Sequence, residues 1–196
     1  MKMKKSEENL SILKSNKRNN VLSTPCIFFD RDGVVNESPG PGYVESIEDF
    51  HIQEGFISAL RVVKEYEHHA IIVTNQRGVA REIVAMEEIE NMHRFLQKQV
   101  KKEGLDILDI FICPHNHGTC SCRKPQPGML LKAADKHDLD LPNSWMIGDS
   151  ETDIQAGQQA GCKTIFVGSP SASTEADYSI DGMSQLADFL KTYLPR

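Results

Sequence analysis

The strongest constraint on the fold is a recurrence of five short apolar runs, with longer amphipathic stretches between them. The runs are CIFFD (26–30), AIIVT (70–74), DIFIC (109–113), SWMIG (144–148) and KTIFV (163–167). Each is short and bounded by polar or turn residues, and each is apolar enough to be buried on both faces. Residues 56–68, 86–103, 129–137 and 154–160 carry helical patterning; in the first, Ile57, Leu60 and Val63 form a stripe that ends at Lys64. This strand–helix alternation predicts an α/β fold, a doubly wound and mostly parallel sheet with helices on both faces. An edge strand is expected near residues 178–180 and a final helix over 183–193. His68 and His69 are expected to close the first helix, where a cation is favoured.

A chain of 196 residues, 39% hydrophobic and 26% charged, suits one globular domain, expected over residues 23–196. Residues 1–22 are polar and basic-leaning and are read as a disordered tail. No apolar run approaches the roughly 20 residues that span a bilayer, and the start lacks the apolar core of a secretory signal. A cytoplasmic protein with no membrane partner is expected. The net charge of −6 argues against a nucleic-acid partner. Of the five cysteines, Cys113, Cys120 and Cys122 fall within ten positions, an uneven spacing for a disulfide framework and one that points to metal binding or catalysis. Cys26 and Cys162 sit in apolar contexts and are read as core.

Polar residues at the ends of the runs carry the chemistry. Asp30 ends the first run and Asp32 follows two residues later, so alternation can bring both carboxylates to one side of the sheet's edge. Crowded carboxylates repel one another and are commonly relieved by a hard divalent cation. A second acidic pair, Asp149 and Asp153, follows the fourth run in GDSETD; Asp149 could bind such a cation and Asp153 could cap the next helix. Between the pairs lie Thr74, Asn75 and Lys124, donors suited to phosphate oxygens. Each feature alone is common; their order along the chain, each just beyond a run or in the loop that follows it, is not.

FFDRDG, VTN, RKP and GDSETD resemble, in the right order, the four motifs of the haloacid dehalogenase-like phosphohydrolase superfamily. The resemblance spans residues 27–168 and implies a Mg²⁺-dependent phosphatase that forms an aspartyl phosphate. It makes Asp30 the nucleophile and Asp32 the general acid/base. Thr74 and Lys124 would hold the phosphoryl group. Asp30, Asp149 and the backbone carbonyl of Asp32 would bind Mg²⁺. The chain has no insertion long enough for a separate cap domain, so a small charged phosphate ester is the expected partner and a monomer the expected state.

In CPHNHGTCSCRKP, three thiols and an imidazole make a tetrahedral Zn²⁺ set, structural in kind because it is closed. Cys113, Cys120 and Cys122 are fixed members, while spacing alone leaves His115 and His117 as rivals. This loop, with DRDG and VTNQ, resembles the D-glycero-D-manno-heptose 1,7-bisphosphate phosphatases and the related histidinol-phosphate phosphatases, and that resemblance favours His115. GYV at residues 42–44, TNQRGVAR at 74–81 and KPQPGMLL at 124–131 lean towards the heptose enzymes. By the same resemblance Gly42, Tyr43, Asn75, Gln76, Arg77 and Arg123 would contact a sugar bisphosphate. Arg77 and Arg81 add positive charge suited to a second phosphate, and are equally well read as solvated residues at a helix start. The chain departs from the heptose pattern in a longer loop around residues 36–44, a shorter stretch between His115 and Cys120, and Ser150 in place of Lys. A zinc-stabilised binding domain without catalysis is the competing class; the intact Asp30, Asp32, Lys124 and Asp149 speak against it.

Overall fold

Burial on both faces is what makes the apolar runs strands. The structure, a computed structural model, describes residues 23–169 and 174–195; the expected tail at residues 1–22 lies outside them. Strands β1 (Cys26–Phe29), β2 (His69–Asn75), β3 (Asp109–Cys113), β4 (Trp145–Gly148), β5 (Lys163–Val167) and β6 (Tyr178–Ile180) form one sheet in the order β3-β2-β1-β4-β5-β6. Every pairing is parallel, so the edge strand β6 is as well. Successive side chains divide between two cores. Ile27, Phe29, Ile72, Trp145 and Ile147 face α1 (Glu54–Glu65), α3 (Met86–Lys102) and α6 (Leu186–Tyr193). Cys26, Phe28, Ile71, Val73 and Met146 face α4 (Gly128–His137) and α5 (Glu151–Ala160). The doubly wound architecture is thus the one read from the runs, and Cys26 and Cys162 are core residues.

Several local readings change. The first helix begins at Glu54 and ends at Glu65, because Glu67 takes a left-handed backbone (φ 56°). His68 and His69 therefore do not close it. His68 is buried with Nδ1 2.7 Å from the Tyr66 carbonyl, and His69 opens β2. The expected last helix divides into a 3-10 turn, Met183–Gln185, and α6. A short helix, α2 (Arg77–Ala80), follows β2, so Arg77 does stand at a helix start.

The strand order positions the site. From β1 the chain winds outward one way through β2 and β3, and from β4 the other way through β5 and β6. The reversal lies between β1 and β4, which are hydrogen-bonded neighbours. At such a switch point the loops leaving the strands diverge and open a crevice at their carboxyl ends. Asp30 follows β1 and Asp149 follows β4, so the sequence places both carboxylates in that crevice.

Candidate active site

The crevice is a cavity of about 240 Å³ whose walls include Asp30, Asp32, Thr74, Asn75, Lys124, Asp149 and Asp153. Asp30 extends the β1–β4 ladder, its N–H donating to the Ile147 carbonyl at 2.9 Å. The Lys124 ammonium, buried, donates to Asp30 Oδ1 at 2.5 Å and to the Val73 carbonyl at 2.8 Å, and lies 2.6 Å from Asp153 Oδ1. Asn75 fixes the lysine from behind: its Nδ2 donates to the Lys124 carbonyl and its Oδ1 accepts from the Lys124 N–H, both at 3.1 Å. Asn75 therefore both lines the cleft and anchors Lys124.

One ammonium stands against three carboxylates, Asp30, Asp149 and Asp153, which converge so that one oxygen from each lies within 4.8 Å of the others. Burial, then the charge of Asp153, raises the Asp30 carboxyl well above the usual carboxylate range, against the pull of Lys124. The same two causes, in the same order, raise Asp149 to about 6. Burial alone would lower Lys124, but the Asp153 and Asp30 carboxylates outweigh it and hold the ammonium charged. Excess negative charge on convergent hard oxygens is the donor chemistry of a divalent cation such as Mg²⁺. Close approach here depends on glycine. Gly33 has φ +91°, and a Cβ on it would lie 1.9 Å from Asp149 Oδ2.

Asp153 does more than cap α5. Its Oδ2 accepts from the Ser150 N–H at 3.2 Å and from the Ser150 hydroxyl at 2.7 Å, while Oδ1 faces Lys124. Sequence reading caught the cap and missed the ion pair, which becomes visible only when the β3–α4 loop brings Lys124 beneath α5. The Asp32 side chain is outside the three-carboxylate cluster. It is held by Arg31, Asn36 and Gln76. Gln76 is buried, and its Nε2 donates to both Asp32 Oδ2 and Thr74 Oγ1 (3.0 and 2.8 Å), behind the cleft wall rather than on it.

The remaining substrate candidates divide between the cavity wall and the cysteine loop. Gly42 and Tyr43 line the cavity, and the Tyr43 hydroxyl accepts from Arg81 at 3.2 Å. Arg77 Nε donates to Asn116 Oδ1 at 3.1 Å, tying α2 to the cysteine loop. Arg123 Nε donates to His117 Nδ1 at 3.4 Å, and its Nη1 is buried with no partner among the described residues.

The cysteine loop folds back on itself just beyond β3. Cys113, Cys120 and Cys122 Sγ atoms are 3.3–3.6 Å apart, and His115 Nδ1 is 3.6 Å from Cys113 and 3.3 Å from Cys122. A tetrahedron with Zn–S of about 2.3 Å has edges of about 3.8 Å, so the four donors are near the spacing that Zn²⁺ requires. Of the two rival histidines, His115 is the one in this group, while His117 turns to Arg123.

Comparisons with known proteins agree with this geometry. A family model described as HAD-hydrolase-like matches residues 121–189. The chain is 34% identical, over 86% of its length and 96% of the relative's, to a D-glycero-beta-D-manno-heptose-1,7-bisphosphate 7-phosphatase of Yersinia pestis. It is 39% identical, over 74% of its length and 83% of the relative's, to the corresponding alpha-anomer 7-phosphatase of Campylobacter jejuni. Among solved structures, the D,D-heptose 1,7-bisphosphate phosphatase of B. bronchiseptica, complexed with magnesium and phosphate, superposes with a TM-score of 0.79 at 29% identity, covering 86% of this chain and 99% of that one.

Proposed function

Since the chain belongs to the heptose 1,7-bisphosphate 7-phosphatase family of the haloacid dehalogenase-like phosphatases, we propose that it hydrolyses the 7-phosphate of D-glycero-D-manno-heptose 1,7-bisphosphate through a phosphorylated Asp30. The observation that carries the mechanism is the buried contact between Lys124 and Asp30 at the switch point. An ammonium there screens the phosphoryl charge that would otherwise repel an attacking carboxylate.

Asp30 attacks phosphorus, and Asp32 gives a proton to the departing alkoxide. Asp32 then takes a proton from the water that cleaves the acyl phosphate, restoring the Asp30 carboxylate and the protonated Asp32. Thr74 and Lys124 offer donors to the transferred phosphoryl oxygens. Bound at Asp30, Asp149 and the Asp32 carbonyl, Mg²⁺ would supply further charge neutralisation. Asp153 holds Lys124 in place from the far side. Gly42 and Tyr43 border the sugar's entry path, and the charge of Arg123, next to Lys124 in the chain, suits a substrate anion. For Gln76, the observed contacts favour a role in orienting Thr74 and Asp32. Zn²⁺ at Cys113, His115, Cys120 and Cys122 would brace the loop that presents Arg123 and Lys124. Such a site needs reduced thiols, which suits a cytoplasmic protein.

A substrate panel tests the assignment: phosphate release in Mg²⁺ from each heptose bisphosphate anomer and from histidinol phosphate. Faster turnover of a heptose bisphosphate is expected, with the anomer decided by the measurement. Equal, slow rates on all three would sink the substrate assignment.

A further inference from the structure

Arg31 lies between the two aspartates of the first motif, and its guanidinium is the largest charged group fully buried in the described protein. Its backbone carbonyl anchors the turn after β1, accepting from the N–H groups of Val35 at 2.8 Å and Asn36 at 3.0 Å. The side chain turns back onto Asp32. Nε donates to Oδ1 at 3.0 Å, and Nη2 donates to Oδ1 at 2.8 Å and to Oδ2 at 2.9 Å. Asn36 Nδ2 adds a bond to Oδ1 and Gln76 Nε2 one to Oδ2, each at 3.0 Å. Five donor contacts thus fall on two carboxylate oxygens, three of them from Arg31, which brings the only formal charge among those donors.

The surroundings direct that charge to Asp32. The face of Phe50 lies 5.6 Å from the guanidinium carbon, a cation–π contact that adds no competing anion. His93, on α3, is buried nearby and is held neutral: burial first, then the Arg31 charge, lowers its pKa to about 4. Asp32 is the one ion-pair partner of Arg31 among the described residues. A buried guanidinium with a single anionic partner fixes that partner's plane and leaves little rotational freedom.

We infer that Arg31 is a positioning residue for the second half of the reaction, holding the Asp32 carboxylate as a proton acceptor aimed at the water that hydrolyses phospho-Asp30. The inference rests on the aspartyl-phosphate reading above. In that half-reaction water adds to phosphorus, the P–O bond to Asp30 breaks, inorganic phosphate leaves and the water's proton passes to Asp32. The acceptor must already be aligned, whereas the first half needs Asp32 only as a donor to the leaving oxygen. With p-nitrophenyl phosphate, whose leaving group departs without protonation, the first half should depend on Asp32 still less.

The test is rapid-quench kinetics of the full chain in Mg²⁺ with p-nitrophenyl phosphate, following p-nitrophenolate release and acid-trapped phosphoenzyme. In Arg31→Met, dephosphorylation should slow by about tenfold to a hundredfold, as expected for a misaligned reacting group. Phosphorylation should change little. The trace would show a burst of about one product per active site, then slow turnover, with phosphoenzyme accumulating. Arg31→Lys, which keeps the charge and loses the fork, should fall between and remains testable where Arg31→Met does not fold. A residue that only supports the fold would lower the burst amplitude and leave the split between steps unchanged; that result, or equal slowing of both steps, overturns the inference. Asp32→Asn is the control: if it and the parent both trap no phosphoenzyme, the covalent mechanism fails and this inference with it.

Discussion

Two clusters of metal-ligand type stand at the carboxyl end of the sheet, and they differ in origin and in closure. Asp30, Asp149 and Asp153 converge from two strand ends and the first turn of α5, and a buried lysine is built in among them. Cys113, His115, Cys120 and Cys122 come from one stretch of ten residues that starts at the last residue of β3, and they contain no countercharge. The first is held by the whole sheet and opens onto a cavity; the second closes on itself with four donors. A cation with vacant positions can meet a substrate, whereas a four-coordinate one has none to offer. On the function proposed above, the difference separates a centre for chemistry from a brace for the loop that delivers Lys124.

The comparison breaks most directly at Asp30. Asp30→Asn is expected to lower turnover by on the order of 10⁴-fold or more, the scale seen when a nucleophile is removed from a working set. The melting temperature should not fall, because the raised pKa of Asp30 marks its charge as a cost to the folded state. A variant that retained substantial turnover would exclude the phospho-aspartate. Cys120→Ser or Cys122→Ser should reverse the pattern. One zinc per chain, measured by metal analysis, would be lost, and at a cost of about 3 kcal/mol the melting temperature would drop by roughly 6–12 °C. Turnover would fall by only about 10–100-fold, the range for groups that support a site without reacting. Loss of turnover as deep as that of Asp30→Asn, with zinc retained, would mean the loop does more than brace.

Much of this contrast was legible in the sequence because the apolar runs fix the strands and three of the four motifs sit at a run's end, with RKP in the loop after the third. The ends of the runs place Asp30, Thr74 and Asp149 at strand ends without any knowledge of pairing. What could not be read is whatever depends on the strand order. Asp153 lies near Lys124 only because α5 packs over the β3–α4 loop, and nothing local to either residue signals it. Arg31 was passed over because an arginine flanked by aspartates ordinarily faces water; its burial follows from the turn that wraps its carbonyl. The His68 and His69 reading failed on one left-handed residue, Glu67, which ended the helix before they were reached.

The pH dependence of stability sharpens the comparison further. Asp149 is raised from 3.8 to about 6, and Asp30 is raised as well. A carboxyl that holds its proton more tightly folded than unfolded contributes least stability when ionised, so this contribution is present at low pH and lost as pH rises through about 6 and beyond. The melting-temperature gain on adding Mg²⁺ to chelator-treated protein should therefore be small near pH 5 and grow towards pH 8. Asp149→Asn should flatten that rise. A gain independent of pH would show that the cation binds elsewhere. Zinc at the thiols needs separate control, since chelator treatment would strip it too; Cys122→Ser protein isolates the carboxylate response.

The smallest effect expected is at Ser150, and it tests how far the carboxylate cluster depends on its neighbours. The Ser150 hydroxyl donates to Asp153 Oδ2 at 2.7 Å, and the opposite oxygen of the same carboxylate faces Lys124. Ser150→Ala removes one hydrogen bond to a charged acceptor and keeps the backbone N–H bond, at a cost of about 1.5 kcal/mol. That would shift the melting temperature by ~3–6 °C. Turnover should drop only a few-fold, because the ion pair to Lys124 still restrains Asp153. Ser150→Lys would place a second ammonium beside Asp153 in competition with Lys124. If it matched the parent in turnover, the single-ammonium balance of the cluster would not be what limits catalysis. A larger loss than in Ser150→Ala would show that Lys124 must have Asp153 to itself.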